Sequence, residues 1–342
     1  MEAYVVSDIA VVLLLVGLAA ALLAARRQPM WRETGRGLLR RRPIALAVFA
    51  LYAAVALLDS ISWIGPPPLG TAIQSVRLHQ PRSVLDRLFP LDFQERSYSA
   101  PLAEREFYGG APLRHPRRHL LGTDILGRDV LHLTLEGARI ALLIGGFTSL
   151  IVIPLALLFG MTAGYFGGWV DDAVFFVMST LASMPGLLLL IAFVMVLGHG
   201  TAQVCIALGV TSWVGFSRVA RGETMKLREL AYVDAARALG GSSRRVLFRH
   251  ILPNLVHLIV ITFVLLFSGL VLSEAILSWL GIGITGSWGQ MIDQARDELA
   301  RDPIVWWNLG AASAALFGLI LSVNLLGDTV RDLLDPRTSK GS

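Results

Sequence analysis

Charge is what this chain has least of. Asp, Glu, Lys and Arg together make up 16% of its 342 residues, where a globular domain carries about 25%. So few charges cannot cover a soluble surface, which excludes an ordinary cytosolic enzyme. With 54% of residues drawn from AVILMFWYC, the sequence reads as an integral membrane protein. Cysteine is nearly absent: Cys205 stands alone in an apolar run, which excludes a disulfide framework and a thiolate metal site. It reads as a small buried hydrophobe. Lysine is scarce too, since Lys226 and Lys340 are the only two among 30 basic residues. Neither follows a glycine-rich phosphate loop, so the chain has no Walker A site of its own. HExxH and GxSxG are missing as well. The histidines (79, 115, 119, 132, 199, 250, 257) are scattered. His115 and His119 come nearest to a ligand pair, but they lie in an Arg- and Pro-rich loop. No catalytic residue, metal site or cofactor is expected, and the basic excess sits between apolar runs rather than in a nucleic-acid-binding face.

Long apolar runs are what the chain does have. A spanning helix needs about 20 apolar residues to cross the hydrocarbon. Seven segments qualify: Ile9–Ala25, Ile44–Trp63, Ala138–Ala163, Val174–Leu197, Thr201–Phe216, Leu255–Leu277 and Trp307–Leu326. The first is preceded by Glu2 and Asp8 with no basic residue, the wrong flank for a signal peptide, so it reads as a retained span. Proton-driven transport would leave acids deep in the spans. Asp59, Asp171, Asp172, Glu274 and Asp328 instead read as lying at span ends or in loops, Glu274 as an interfacial residue reaching water.

Arginines fix the expected orientation. Residues 26–43 hold seven (26, 27, 32, 36, 40, 41, 42) against Glu33, which places this link inside and Met1 outside. Counting onward puts 64–135 outside, 164–173 inside, 198–200 outside, 217–253 inside, 278–306 outside and the tail inside. The 217–253 segment agrees, carrying eight basic residues against Glu223, Glu229 and Asp234. The 164–173 link does not, for it has Asp171 and Asp172 and no basic residue. Pro154 and Pro185 lie within spans, where each frees a carbonyl and permits a kink. Gly160 and Gly164 form a GxxxG pair suited to close helix approach.

Residues 225–239 predict a helix with Leu227, Leu230, Val233 or Asp234, and Leu239 on one face. Gly240-Gly241 stops it, and Ser242 or Ser243 can cap a second short basic helix through about His250, ahead of Pro253. By pattern alone this is either a compact knob beneath the membrane or a basic amphipathic hairpin lying on anionic lipid.

Asp234-Ala235-Ala236, then Gly240, then His250-Ile251-Leu252-Pro253, resembles the EAA loop of permease subunits of binding-protein-dependent ABC importers. The segment with Gly122, Thr123, Asp124, Gly127, Arg128 and Asp129, followed by Glu136-Gly137-Ala138-Arg139-Ile140, is similar to the lead into the core spans of C-type dipeptide, oligopeptide and nickel permeases. A third match runs from Ser273-Glu274-Ala275 through Leu280-Gly281, Ser287-Trp288-Gly289 and Asn324-Leu325-Leu326-Gly327-Asp328 to Asp335-Pro336-Arg337. The resemblance covers about residues 119–337.

It implies an all-α membrane protein: a type I importer permease core over 136–330, a coupling loop at 225–253 and a tail at 331–342. An outer loop at 64–135 and an N-terminal pair of spans at 1–63 precede the core, the first span being extra to the family. It also implies a bacterial inner-membrane, multi-pass location. Asp234, Ala235, Ala236, Gly240, Leu252 and Pro253 would dock on a separate ATPase. The partners would be a second permease, two ATP-binding subunits and an extracytoplasmic binding protein, with a peptide as cargo and nickel as another possibility. Asp234 stands for the family's usual Glu. Phe176 and Ser179 stand where members often carry Arg and Asp, and Thr285-Gly286 shortens a proline-rich lead. A self-sufficient channel or secondary transporter is the alternative, and a membrane-embedded enzyme a third class.

Overall fold

The computed structural model describes residues 29–63, 82–89 and 94–334, together with Ile9, Val11, Val12 and Gly17, all four helical. The expected span Ile9–Ala25 therefore falls mostly outside the described residues. Five described helices are long and apolar enough to cross a membrane, and a bent pair makes a sixth. These match the other six expected spans.

The basic link forms a helix, α1 (Pro29–Arg41). Pro43, preorganised for a first helical turn, starts α2 (Pro43–Ser60). A two-residue antiparallel ladder, β1 (Ser62–Trp63) with β2 (Arg82–Ser83), leads into α3 (Val84–Leu88), capped reciprocally by Ser83 and Asp86. After an irregular stretch, Asp129 caps α4 (Val130–Leu142), its Oδ1 accepting the Leu131 N–H at 2.8 Å. A π-helical stretch, Leu143–Phe147, joins α4 to α5 (Thr148–Phe166), so the expected span starting at Ala138 begins eight residues earlier, at Val130.

The next expected span is broken. α6 (Gly168–Ala182) and α7 (Gly186–Leu197) meet at 89° around Ser183–Pro185, because Pro185 cannot continue a helix. The pair still runs from one end of the molecule to the other. Asp171, in the first turn of α6, pairs with Arg221 near the end of α8 (Thr201–Arg228). Gly198, at φ +101°, stops α7 just before Thr201, where α8 begins. A 28-residue helix is about 42 Å long, so α6 and α7 together cross as a broken span.

α8 extends twelve residues past the expected end at Phe216, and only then comes α9 (Ala231–Ala238). The helix expected over 225–239 is thus two helices, broken at Glu229-Leu230. The second short helix is also corrected. α10 (Ser243–Val246), capped by Ser242, passes through a π-helical stretch, Leu247–Ile251, into α11 (Leu252–Trp279) without a gap. Ser243–Trp279 is one 37-residue apolar unit. α12 (Trp288–Leu299), capped by Ser287, and α13 (Trp307–Leu334) complete the chain.

Two of the bundle's packing units set its frame. One core, around Val130, Leu133, Trp288, Trp307 and Leu319, joins α2, α4, α11, α12 and α13. In the other, α5 lies along α8, and the GxxxG pair makes the contact. A Cβ on Gly160 would come within 2.5 Å of the Ser217 carbonyl oxygen, and one on Gly164 within 2.6 Å of that of Arg221. Only hydrogen fits between such backbones.

The segments expected on one side meet at one end. Trp307 Nε1 donates to the Thr123 carbonyl at 3.0 Å, and Tyr108 Oη to that of Pro303 at 2.6 Å. His199 Nδ1 lies 3.1 Å from the Ile282 carbonyl oxygen. At the opposite end Arg228 donates to the Gly164 carbonyl at 3.0 Å, and Gly37 faces Leu333 so closely that a Cβ would reach 2.8 Å.

Candidate functional site

A knob at the end expected to face inward is built by burying one residue of α9. Val233 is fully buried against Met161, Val246, Ile251 and Leu255, which pins the short helix to the start of α11 and the end of α5. Arg237 stacks over the Tyr165 ring at 4.8 Å, and Asn254 Nδ2 donates to Tyr232 Oη at 3.2 Å. Gly240 takes φ +80°, and its N–H reaches the Arg237 carbonyl at 2.9 Å. Open space surrounds its missing side chain, so the backbone alone demands glycine there. Gly241 differs: a Cβ would lie 2.6 Å from the Ala236 carbonyl oxygen. The two glycines do separate jobs and cannot replace each other.

What the knob leaves outward is apolar with a charged rim. Leu230, Tyr232, Leu239 and Phe248 are exposed, Leu239 at 89%. The face expected to hold Leu227, Leu230, Val233 and Leu239 is therefore divided: Val233 anchors the helix while Leu230 and Leu239 turn out. Asp234 and Ala235 are exposed and Ala236 half-buried. Asp234 is 3.5 Å from Arg237, within its own helix. Leu252 is half-buried and Pro253 exposed at the start of α11. The six residues expected in a coupling site thus lie in one knob.

The six outer-motif residues also come together, as a clasp closed on itself. Thr123 and Asp124 are fully buried. Thr123 Oγ1 donates to the Ser97 carbonyl at 2.8 Å and accepts the Ser99 N–H at 2.6 Å. Asp124 accepts the Leu126 and Arg128 N–H groups at 2.9 and 2.8 Å, and Arg128 Nε at 2.8 Å. Gly122 and Gly127 sit at φ +77° and +73°, pressed on the carbonyls of Ser99 and Glu95. Asp129 caps α4 and also meets buried His119, 2.8 Å from its Nδ1. Thr123 and Asp124 bond mainly to backbone groups, while Arg128 and His119 close the clasp on the carboxylates of Asp124 and Asp129, which makes the motif a strut for the segment ahead of α4.

Nearby acids titrate by their surroundings. Burial pushes the Asp86 carboxyl up, but hydrogen bonds from His132 and Ser83 outweigh it and leave the group below the usual carboxylate range. Glu298 has only burial as its main influence, and is raised. Burial, with Glu298 beside it, pushes the Tyr98 hydroxyl up to about 12.

One acid is not where the sequence suggested, and a second, Asp59, keeps its place at a span end but is buried there. Glu274 does not reach water: it is 3% exposed in α11, with Ser278 Oγ at 2.5 Å, and Ser278 in turn meets Ser287 Oγ at 3.0 Å. Asp59 is 4% exposed, facing Arg139 at 3.6 Å. Glu136, ahead of the expected span, lies in the second turn of α4 and lines a cavity with Asp59 and Arg139. Glu136-Gly137-Ala138-Arg139 carried the signal in its spacing, three residues bringing Glu136 and Arg139 onto one helix face. Of the third match, Asp335–Arg337 lie outside the described residues. Asn324 of that match accepts the Ser268 Oγ hydrogen at 2.9 Å, joining α11 to α13.

Comparison with known proteins agrees with this architecture. The family described as the inner membrane component of binding-protein-dependent transport systems matches residues 156–340. The glutathione transport system permease protein GsiD of Pectobacterium atrosepticum is 39% identical over 222 residues, 64% of this chain and 73% of that protein. The GsiD of Shigella dysenteriae serotype 1 is 40% identical over 223 residues with the same coverage. Among solved structures, an inward-facing form of the MetNI methionine ABC transporter has the same fold at TM-score 0.50 and 18% identity, over 60% of this chain and 98% of that one. The resemblance read from the sequence is therefore upheld, and the channel, secondary-transporter and enzyme alternatives fall away. The chain belongs to the binding-protein-dependent transport system inner membrane components, the permease subunits of ABC importers, and is not itself an enzyme.

Proposed function

We propose that this permease forms, with a second homologous permease, the pathway for small peptides or peptide-like solutes across a bacterial inner membrane. Two ATP-binding subunits drive it and an extracytoplasmic binding protein feeds it. The observation that carries the reading is the inner-end knob, whose exposed Leu230, Tyr232, Leu239 and Phe248 present a compact apolar face on a rigid mount. Such a patch beyond the spans fits a protein partner, and its anchors on Tyr165 and Asn254 tie any movement of the knob to α5 and α11. Asp234, Ala235, Ala236, Gly240, Leu252 and Pro253 then transmit ATPase closure to the bundle. Peptide cargo rests on the relatives, which are glutathione permeases by name.

The test is reconstitution of the chain with the permease, ATPases and binding protein encoded beside it. Binding-protein-stimulated ATP hydrolysis and ATP-dependent uptake of labelled tripeptides are expected. ATP-driven uptake of a nickel complex with none of peptide would refute the cargo. Failure of the chain to retain any ATPase would refute the coupling role.

A further inference from the structure

At the end expected to face outward, a cavity of about 160 Å³ opens between the last turn of α2, the second half of α4, the 199–201 link and residues 284–285. It has room for several waters or for one end of a small ligand. Its charged lining is Asp59, Glu136, Arg139 and His199. Two carboxylates face one guanidinium.

The groups are arranged to receive donors. Asp59 is only 4% exposed, and among the described residues its Oδ2 accepts no hydrogen bond, Arg139 standing off at 3.6 Å. A buried carboxylate oxygen without a donor is costly and is retained where something else completes it. Glu136 adds a second carboxylate to the cavity wall. Gly286, at φ +83°, makes room for it: a Cβ there would come within 3.2 Å of Glu136 Oε1. His199 Nδ1 faces the Ile282 carbonyl, which can only accept. That fixes the proton on Nδ1 and leaves Nε2 as an acceptor in the neutral ring. Three acceptors converge with one net negative charge, the complement of a primary ammonium with its three N–H donors.

We propose that this cavity is a subsite for a primary ammonium group, the free amino terminus of a peptide, held by Glu136, Asp59 and His199. Arg139, beside Asp59, limits the site to a single positive charge. The proposal deepens the peptide reading above, on which its choice of ligand rests. It also gives this permease a selectivity step of its own.

Saturation-transfer NMR on the purified full chain in nanodiscs tests it, with methylammonium as probe and tetramethylammonium as control. Saturable methylammonium binding is expected. Tetramethylammonium has the same charge and no donors, and is expected to bind at least tenfold more weakly. Glu136→Gln should weaken methylammonium by tenfold or more, and Glu136→Asp should restore part of it. Trialanine should displace the probe and N-acetyl-trialanine should not; a site that trialanine cannot enter overturns the amino-terminus assignment and leaves a free small amine. Equal binding of the two ammonium ions by the wild type overturns the proposal without any variant. So does no saturation, or unaltered binding by Glu136→Gln. Peptide uptake by the assembled transporter without methylammonium binding would sink the subsite alone, whereas methylammonium binding with no peptide uptake would sink the cargo reading alone.

Discussion

The guanidinium of Arg221 forks onto the carboxylate of Asp171, Nε to Oδ1 at 2.5 Å and Nη2 to Oδ2 at 2.6 Å, locking the first turn of α6 to the end of α8. The pair also accounts for the anomaly in the orientation count. The 164–173 link has acids and no bases because its cation is supplied by α8, fifty residues along the chain.

Breaking that fork should loosen the broken span. Asp171→Asn leaves a half-buried guanidinium short of its counter-charge, at a cost of about 1.5–3 kcal/mol, the range for hydrogen bonds to charged groups. Thermal unfolding of detergent-purified chain should show the loss. Adding Arg221→Gln should cost little more, and additive losses in this double-mutant cycle would mean the two side chains do not act together.

Gly160 should resist even one methyl group. Alanine there drives a Cβ to 2.5 Å from the Ser217 carbonyl, a backbone atom that cannot swing away. Overpacking of this kind costs about 1–3 kcal/mol. Gly215, with open space around it on the same helix as Ser217, is the control and should accept alanine without loss. Equal melting of Gly160→Ala and wild type would show that α5 and α8 are not in backbone contact.

The knob should fail in two distinguishable ways. Gly240→Ala meets no atoms and pays only for its positive φ, about 1–2 kcal/mol. Partial loss of ATPase stimulation is the expected result. Gly241→Val collides with the Ala236 carbonyl and should detach α9 from α10, abolishing uptake at normal membrane abundance. Full uptake by the Gly240→Val, Gly241→Val double variant would remove the coupling assignment.

Sidedness is checked by single cysteines, with Cys205 buried and so silent. Arg105→Cys in the outer segment should react with a membrane-impermeant maleimide on intact cells. Leu239→Cys, despite its 89% exposure, should react only after the membrane is opened. The reverse pattern would invert the orientation.

Glu298 should make stability depend on pH. Its carboxyl is raised by burial, so between the unfolded value, about 4.3, and the higher folded value the native state holds more protons than the unfolded. Stability conferred by the protonated form is full below about pH 4.3 and is lost as pH rises through the folded pKa. Glu298→Gln should flatten that slope while keeping the Asn308 contact. Melts of both proteins from pH 4.5 upward give the comparison, and parallel curves would contradict it.

Spans and family were legible in the sequence because each is a property of neighbouring residues. Twenty apolar side chains suffice to cross hydrocarbon whatever they touch, and a glycine at a fixed offset stops a helix wherever the chain goes. Gly160 and Gly164 announced a close approach by spacing alone, though not that Ser217 and Arg221 of α8 would fill it. Tertiary structure decided what depends on distant partners. Glu274 is buried because Ser278 and Ser287 wait for it, and residues 225–239 break at Glu229 because Val233 must turn into Met161 and Ile251. Glu136 and Asp59, 77 positions apart in sequence, line one cavity only because α2 packs along α4. Sequence spacing measures separation along one helix, and no local pattern encodes which helix will supply the other wall.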